Sequence, residues 1–302
     1  MTLLLNIFGA DTISFEQVIN LEKNAPNLII YAIPVMAVLT LAEIIYSWRK
    51  EINNYPLKET LGSTIVGLGN VGISLLIKIG LMYGAIWIFN LVPWRMEMNW
   101  WTLIPCYLLF DFCSYWSHRI SHQNRFFWAT HIVHHSAENY NLSVSFRLSW
   151  VQNIKVIFFL PVFFMGFHPL VIFAVSQASV LFQFWVHTEY IKKMHPIIEY
   201  LFATPSNHRV HHGTQDKYLD KNYAATFIFW DRMFGTFQKE EERPDYGLTK
   251  PIGNRLNPIF LNFHEYQDMI EDVKNAKSMQ QKWFYIFASP SAIHQEKLKD
   301  VA

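Results

Sequence analysis

Two apolar runs, Asn27 to Trp48 and Thr64 to Pro93, are each long enough to cross a bilayer, whose core takes about 20 residues of helix. Hydrocarbon offers no water to backbone N–H and C=O groups, so only helices and closed barrels span it. These runs are continuous rather than alternating, which selects helices. A third run covers Trp101 to Ser117. Trp150 to Phe167 and Pro169 to His187 read as two further spans, or as a hairpin that does not fully cross, turning at Gly166, His168 and Pro169. The chain is 51% hydrophobic and only 16% charged, against about 25% charged for an ordinary soluble domain. The expected fold is therefore all-α: an integral membrane helical protein with four to five transmembrane helices and a cytoplasmic histidine-rich helical cap. No linker, repeat or low-complexity stretch divides it, so residues 1–302 are expected to form one domain, with the histidine motifs at about 101–240.

Charge sets the expected orientation. Arg49, Lys50 and Lys58 follow the first run, Arg119 and Arg125 the third, and Lys192 and Lys193 the hairpin, while Arg95 stands alone after the second. With five spans, basic loops on the cytoplasmic side put the histidine regions and the C-terminus inside and the N-terminus outside. A four-span variant keeps a re-entrant hairpin. The net charge of +1 shows no basic face for nucleic acid. Met1 to Gly9 is apolar without a preceding basic region, and is expected at the membrane surface rather than as a secretory signal. Cys106 and Cys113, seven apart in one apolar segment, read as small buried hydrophobes. Glu43, Asn70 and Lys78 are costly inside spans and are assigned to helix packing or snorkelling. Gly62, Gly67, Gly69 and Gly72 suggest close helix contact.

Thirteen histidines occur, and eight fall in three tight clusters: His118 and His122; His131, His134 and His135; His208, His211 and His212. Residues three and four apart share a helix face, so each cluster is expected to present its imidazoles to one point. A lone histidine is usually structural; three clusters at ligand spacing are a metal signal. Imidazole suits zinc, copper, iron and nickel, and a structural zinc takes four ligands, so eight histidines suit two metals. Soluble di-iron bundles use Glu-x-x-His ligands, which do not precede these clusters. Zinc stays open on ligand chemistry alone. The first cluster continues directly from the third run, which places the metals at the membrane surface. Asp111 and Asp220 lie within two helical turns or a short loop of a cluster and are candidates to hydrogen-bond a ligand imidazole and fix its tautomer.

The three clusters resemble the eight-histidine signature of the fatty acid hydroxylase superfamily, which includes sterol desaturases, over roughly Asp111 to Phe237. Within it, Glu138 to Ser143, Gln183 to Glu189, Thr204 to Gly213, Asp220 to Tyr223 and Trp230 to Phe237 are similar to the alkylglycerol monooxygenase family. The resemblance implies two Fe ions, use of O2, a lipid substrate hydroxylated beside an ether oxygen, tetrahydrobiopterin as reductant, and His187 as a ninth ligand. One position departs from that pattern: those enzymes carry a glutamate directly after the second histidine of the first cluster, where Gln123 stands here. His195-Pro196 is not followed by the paired glycines of a cytochrome b5 haem motif, so electrons are expected from a reduced cofactor or a separate electron-transfer protein.

The function expected is thus a membrane-bound, non-haem di-iron lipid monooxygenase. Phe146, Trp150, Phe182 and Trp185 are placed to line an acyl channel, although helix packing is the commoner explanation of such aromatics, and the aromatic stretch Asn222 to Phe237 is expected to rest on the headgroup layer, which is compatible with its also capping the histidine helices. The nearest rival is a sterol, sphingoid or fatty acyl desaturase or hydroxylase with the same metals. A rival of another class is a histidine-rich metal transporter, but transporters place ligands near the bilayer midplane inside broken spans, and these clusters lie outside the apolar runs. The topology is checked by reporter fusions: one after Phe237 is expected to read cytoplasmic and one at the N-terminus external, and an external C-terminus overturns the assignment.

Overall fold

The computed structural model describes residues 9–24, 28–254 and 256–301; nearly all of the apolar N-terminal stretch, residues 1–8, lies outside them. Among the described residues the chain is helical, without strands. Helix α1 is Phe15–Asn24, α2 Leu28–Arg49 and α3 Leu57–Leu91. Helix α4, Trp100–Gln123, runs straight on from the third apolar run through His118 and His122, as the sequence suggested. Asn99 starts it, its side chain accepting from the Thr102 amide. Helix α5 is Arg125–His135, capped by Asn124.

Helices α2 and α3 are long and apolar enough to cross a membrane. Only 11% and 17% of their spanning windows is buried within the protein, so they are not the core helices of a soluble fold. Val38, Leu68, Leu76 and Trp87 point outward at 63–82% exposure. Such faces need hydrocarbon around them.

The region 150–187 differs from two full spans. Gln152–Phe159 is a 3₁₀ helix, Leu160–Phe164 a single α turn (α6), and only α7, Pro169–Trp185, is a sustained helix. The turn falls where expected: Gly166 has φ +81°, a Cβ there would strike the Trp94 carbonyl, and Pro169 opens α7. A 3₁₀ segment followed by one α turn offers less continuous α-helix than the roughly 20 residues that the bilayer core takes.

Helix α7 packs against α4, with Cys106, Cys113, Val162, Val171, Ile172 and Val175 between them. Both cysteines are free and buried. The polar residues inside the spans all find partners. Glu43 accepts from the Tyr55 hydroxyl (2.7 Å), the Thr188 hydroxyl (2.8 Å) and the Leu142 amide (3.2 Å). Asn70 donates to the Ser149 carbonyl (2.7 Å), and Lys78 pairs with Glu22. Thus α2 and α3 are tied to the segment that follows α5. Buried Arg147 closes the same joint, donating to the Val133 carbonyl and the Ser136 and Ser63 hydroxyls.

The short helices α8 (Pro196–Leu201), α9 (Pro205–His211) and α10 (Phe229–Met233) form the cap. The C-terminal helices α11 (Pro258–Asn275), α12 (Met279–Phe287) and α13 (Pro290–Val301) complete the chain. Helices α11 and α12 lie on the outer face of α5, where buried Arg125 holds Glu265 and Asp272 at 2.6 Å each. That docking gives the charged tail a structural role.

The glycines of α3 are not equivalent. A Cβ on Gly67 would meet the Phe146 carbonyl oxygen at 2.7 Å, and one on Gly69 would strike the Trp150 indole, which donates to the Val66 carbonyl. Gly72 has nothing within 4 Å. Close contact is therefore confined to Gly67 and Gly69. Gly67→Ala is expected to destabilise by about 1–3 kcal/mol through overpacking. Gly72→Ala is expected to be neutral or stabilising by up to about 1 kcal/mol from helix propensity. Thermal melts in detergent check this; equal effects at both positions refute it.

Candidate metal centre

The nine histidines singled out from the sequence converge into two groups. His118, His122, His131, His135 and His211 form one, and His134, His187, His208 and His212 the other. Within each group the ring nitrogens lie within 4.8 Å of one another. Four elements supply them: α4, α5, α9 and the residues just after α7.

The expectation that each cluster serves one point holds for His118 and His122, which share the first group, and is corrected for the other two clusters. His131 and His135 face the first group while His134 faces the second; His211 joins the first, and His208 and His212 the second. Successive helical residues are about 100° apart, so adjacent histidines cannot share a target, whereas residues four apart are offset by about 40°. Each adjacent pair therefore bridges the two groups. The rings of His135 and His212 stack between them at 4.4 Å.

Backbone carbonyls fix the tautomers. His118 Nδ1 lies 2.7 Å from the Tyr223 oxygen, His211 Nδ1 2.9 Å from that of Lys221, and His187 Nδ1 2.8 Å from that of Gln183. A carbonyl cannot donate, so each Nδ1 carries the proton and each Nε2 turns a bare lone pair inward. In the first group, His131 Nε2 approaches His118 Nε2 at 2.8 Å and His135 Nε2 approaches His211 Nε2 at 3.0 Å. In the second, His134 and His208 both crowd His187 Nε2, at 3.2 and 3.0 Å. His122 Nε2 and His212 Nε2 are buried with no partner. Lone pairs packed this closely lack enough protons to satisfy one another, and a cation at the middle of each group would satisfy them together. The residues therefore fit two metals, with five and four imidazoles.

Burial also holds the rings in the form that binds metal. Desolvation pushes His118, His131, His134, His135, His208, His211 and His212 well below the ordinary imidazole value. It lowers His122 too, against the neighbouring Asp220 carboxylate. All are neutral at neutral pH, as ligation requires.

The two candidate supporting carboxylates separate. Asp220 Oδ1 stands 3.4 Å from His122 Nδ1. Asp111 is fully buried but meets no imidazole; it accepts from the Thr226 and Phe227 amides and the Trp230 indole at 2.9–3.1 Å. Its sequence distance from His118 put it on the ligand-bearing helix, but its side chain faces the returning cap. It thereby pins 226–230 on α4, and the aromatic stretch packs beneath the histidines as a cap. Trp150 and Phe146 are likewise taken up by packing, on α3 and on Phe184.

The carbonyl anchors leave no motif in the sequence. Asp220 and Asn222 both adopt left-handed backbone, φ +57° and +55°, which turns the Lys221 and Tyr223 carbonyls toward the rings. Asp and Asn are the non-glycine residues that tolerate this conformation best, the one signal available. Helix α9 is held by Arg209, bidentate on Glu240 at 2.7 and 2.8 Å and bonded to the Thr188 and Ile191 carbonyls.

Residues 103–236 match the fatty acid hydroxylase family model. This segment is a fatty acid hydroxylase domain. The chain is 40% identical over 253 residues to the alkylglycerol monooxygenase of Homo sapiens, covering 80% of this chain and 55% of that protein. It is 36% identical over 259 residues to that of Danio rerio, covering 83% and 56%. With that of Xenopus tropicalis it shares 45% over 170 residues, covering 56% and 36%. The chain thus spans about half the length or less of these relatives. No solved structure matches it significantly. The hydroxylase domain holds α4, α5, α7 and α9, and with them all nine histidines.

Because these imidazoles have depressed values in the folded protein, the unfolded chain takes up protons first as pH falls. Their contribution to stability is fully present above the unfolded value of 6.5 and is lost as pH falls below it toward the folded values. The melting temperature of chelator-treated protein is expected to be insensitive to these groups above about pH 7.5 and to drop steeply between about pH 6.5 and 5. A flat profile across that window contradicts the burial of neutral rings.

Proposed function

We propose that the chain is a membrane-bound, oxygen-dependent lipid monooxygenase working at two irons, with ether-linked glycerolipids as its substrate class. The observation that carries this is the pair of adjoining, water-excluded imidazole groups at the end of an apolar helix. The names of the relatives, alkylglycerol monooxygenase, support the substrate class.

His118, His122, His131, His135 and His211 would hold one iron, and His134, His187, His208 and His212 the other. Bound there, the metals supply the binding and reductive activation of O2 needed to oxidise an unactivated C–H bond. The protein's residues do the rest. The carbonyls of Tyr223, Lys221 and Gln183 hold three rings in the ligating tautomer, and Asp220 orients His122. Buried Tyr140, whose ring lies 5.1 Å from that of His212, helps shut water from the four-histidine group. A lipid headgroup would lie beside the cap at the cytoplasmic face, with its chain in the bilayer along the spans. Hydroxylation beside the ether oxygen gives a hemiacetal that breaks down to a fatty aldehyde and a glycerol derivative.

The reductant is a tetrahydropterin or an external electron-transfer protein. Gln123 is exposed at the end of α4, one residue from His122, where those enzymes carry a glutamate. Gln123 is uncharged, so the Asp220 carboxylate is left as the negative charge beside His122, and an external electron donor stands beside the pterin as the reductant.

Purified protein is expected to contain about two irons per chain, and His135→Ala and His212→Ala, one from each group, to lose metal and activity. Stoichiometric zinc with no iron-dependent turnover refutes the metal assignment. Labelled alkylglycerol with O2 and either tetrahydrobiopterin or a ferredoxin system is expected to yield labelled aldehyde. Aldehyde with ferredoxin alone keeps the substrate and discards the pterin. No aldehyde with either, from iron-containing protein, leaves an acyl, sterol or sphingoid substrate.

A further inference from the structure

Tyr223 is fully buried, yet its hydroxyl has no hydrogen-bond partner. A phenol sealed from water normally finds one, because an unpaired buried hydroxyl is destabilising. Its ring faces the five-histidine group, with centroids 5.2 Å from His122, 5.8 Å from His118 and 5.9 Å from His211. It cannot readily swing away. Its carbonyl receives the His118 Nδ1 proton, and its amide donates to Asp231 at 2.8 Å. Left-handed Asn222 sets its direction, and Asn222 is itself bonded to the Asn207 and Gln238 carbonyls. Asp220 is the nearby carboxylate: it faces His122 Nδ1 at 3.4 Å and its charge bears on the phenol, but it lies outside ordinary hydrogen-bond geometry to the hydroxyl. In the same corner, the buried Nε2 of His122 is also without a partner. One ligating nitrogen and one hydroxyl donor are therefore held side by side in a dry pocket.

We propose that the Tyr223 hydroxyl is the hydrogen-bond donor to a small anionic ligand of the metal held by the five-histidine group. The proposal rests on the metal-binding reading above. The carbonyl of Tyr223 fixes a ligand ring, and its phenol reads what binds next to that ring. Within the protein the donor has only the Asp220 carboxylate near it, outside ordinary hydrogen-bond geometry, whereas an anion seated beside His122 would satisfy it. A hydrogen bond to a charged acceptor is among the stronger ones available to a side chain.

The test compares wild type with Tyr223→Phe, which keeps the ring and removes only the oxygen. Both proteins are loaded with iron, oxidised and assayed for metal per chain. Azide is then titrated, following its charge-transfer absorption. Metal content is expected to be equal, and the azide dissociation constant of the variant to rise about tenfold. Metal-free Tyr223→Phe is expected to melt no lower than metal-free wild type, since the hydroxyl it loses is unpaired in the protein. Equal azide affinity at equal metal content overturns this proposal and leaves the metal centre standing. A metal-free variant that melts several degrees lower also overturns it, because the hydroxyl then serves the fold. If neither protein retains metal, the metal-centre reading fails and this one fails with it.

Discussion

Nine uncharged imidazoles crowded into a dry interior are the interaction on which the rest of this structure depends. Water cannot satisfy their nitrogens, and the rings cannot satisfy one another, because the carbonyls of Tyr223, Lys221 and Gln183 commit three protons outward. The protein must therefore bring four separate elements to one place and hold them against a cluster that is costly until a cation fills it. Much of the polar network away from the rings is explained by that demand. Arg209 locks α9 to Glu240, Asp111 locks the cap to α4, and Arg147 locks the end of α5 to α3.

The membrane helices serve the same end. Helices α2 and α3 contribute no ligand, and their outward faces are apolar. Two of their polar residues point to the segments flanking α7: Glu43 to Leu142 before it and Thr188 after it, and Asn70 to Ser149. Thr188 directly follows His187 of the four-histidine group. Glycines 67 and 69 let the loop bearing Phe146 and Trp150 press against α3. The spans thus act as a rigid frame, and the histidine cap is fastened to it by buried hydrogen bonds rather than by apolar contact alone. In hydrocarbon that division is expected, since lipid competes for apolar contacts but not for polar ones.

Much of this could be read from the chain alone. The helical class followed from apolar runs of bilayer length, and the ligand set from histidines at three- and four-residue spacing, with His187 added by family resemblance. Where the sequence misled, the reason was geometric. The segment 152–164 is apolar enough for a span, but it winds as 3₁₀ and a single α turn, which hydropathy does not reveal. Asp111 sits at ligand-supporting spacing from His118, yet its carboxylate meets amides arriving from more than a hundred residues away.

What the sequence determined by itself is chemical type and local period: helices through lipid, imidazoles on helix faces, a break at Gly166 and Pro169. What the tertiary structure decided is the partition of nine histidines into five and four, the tautomers, and the placing of Tyr223 and Asp220 beside His122. The physical reason is the range of each interaction. Helical phase is set within a few residues and leaves its mark in spacing. The Tyr223 carbonyl that fixes His118, and the Asp220 carboxylate that orients His122, are brought by chain folding across about a hundred positions and leave no periodic trace.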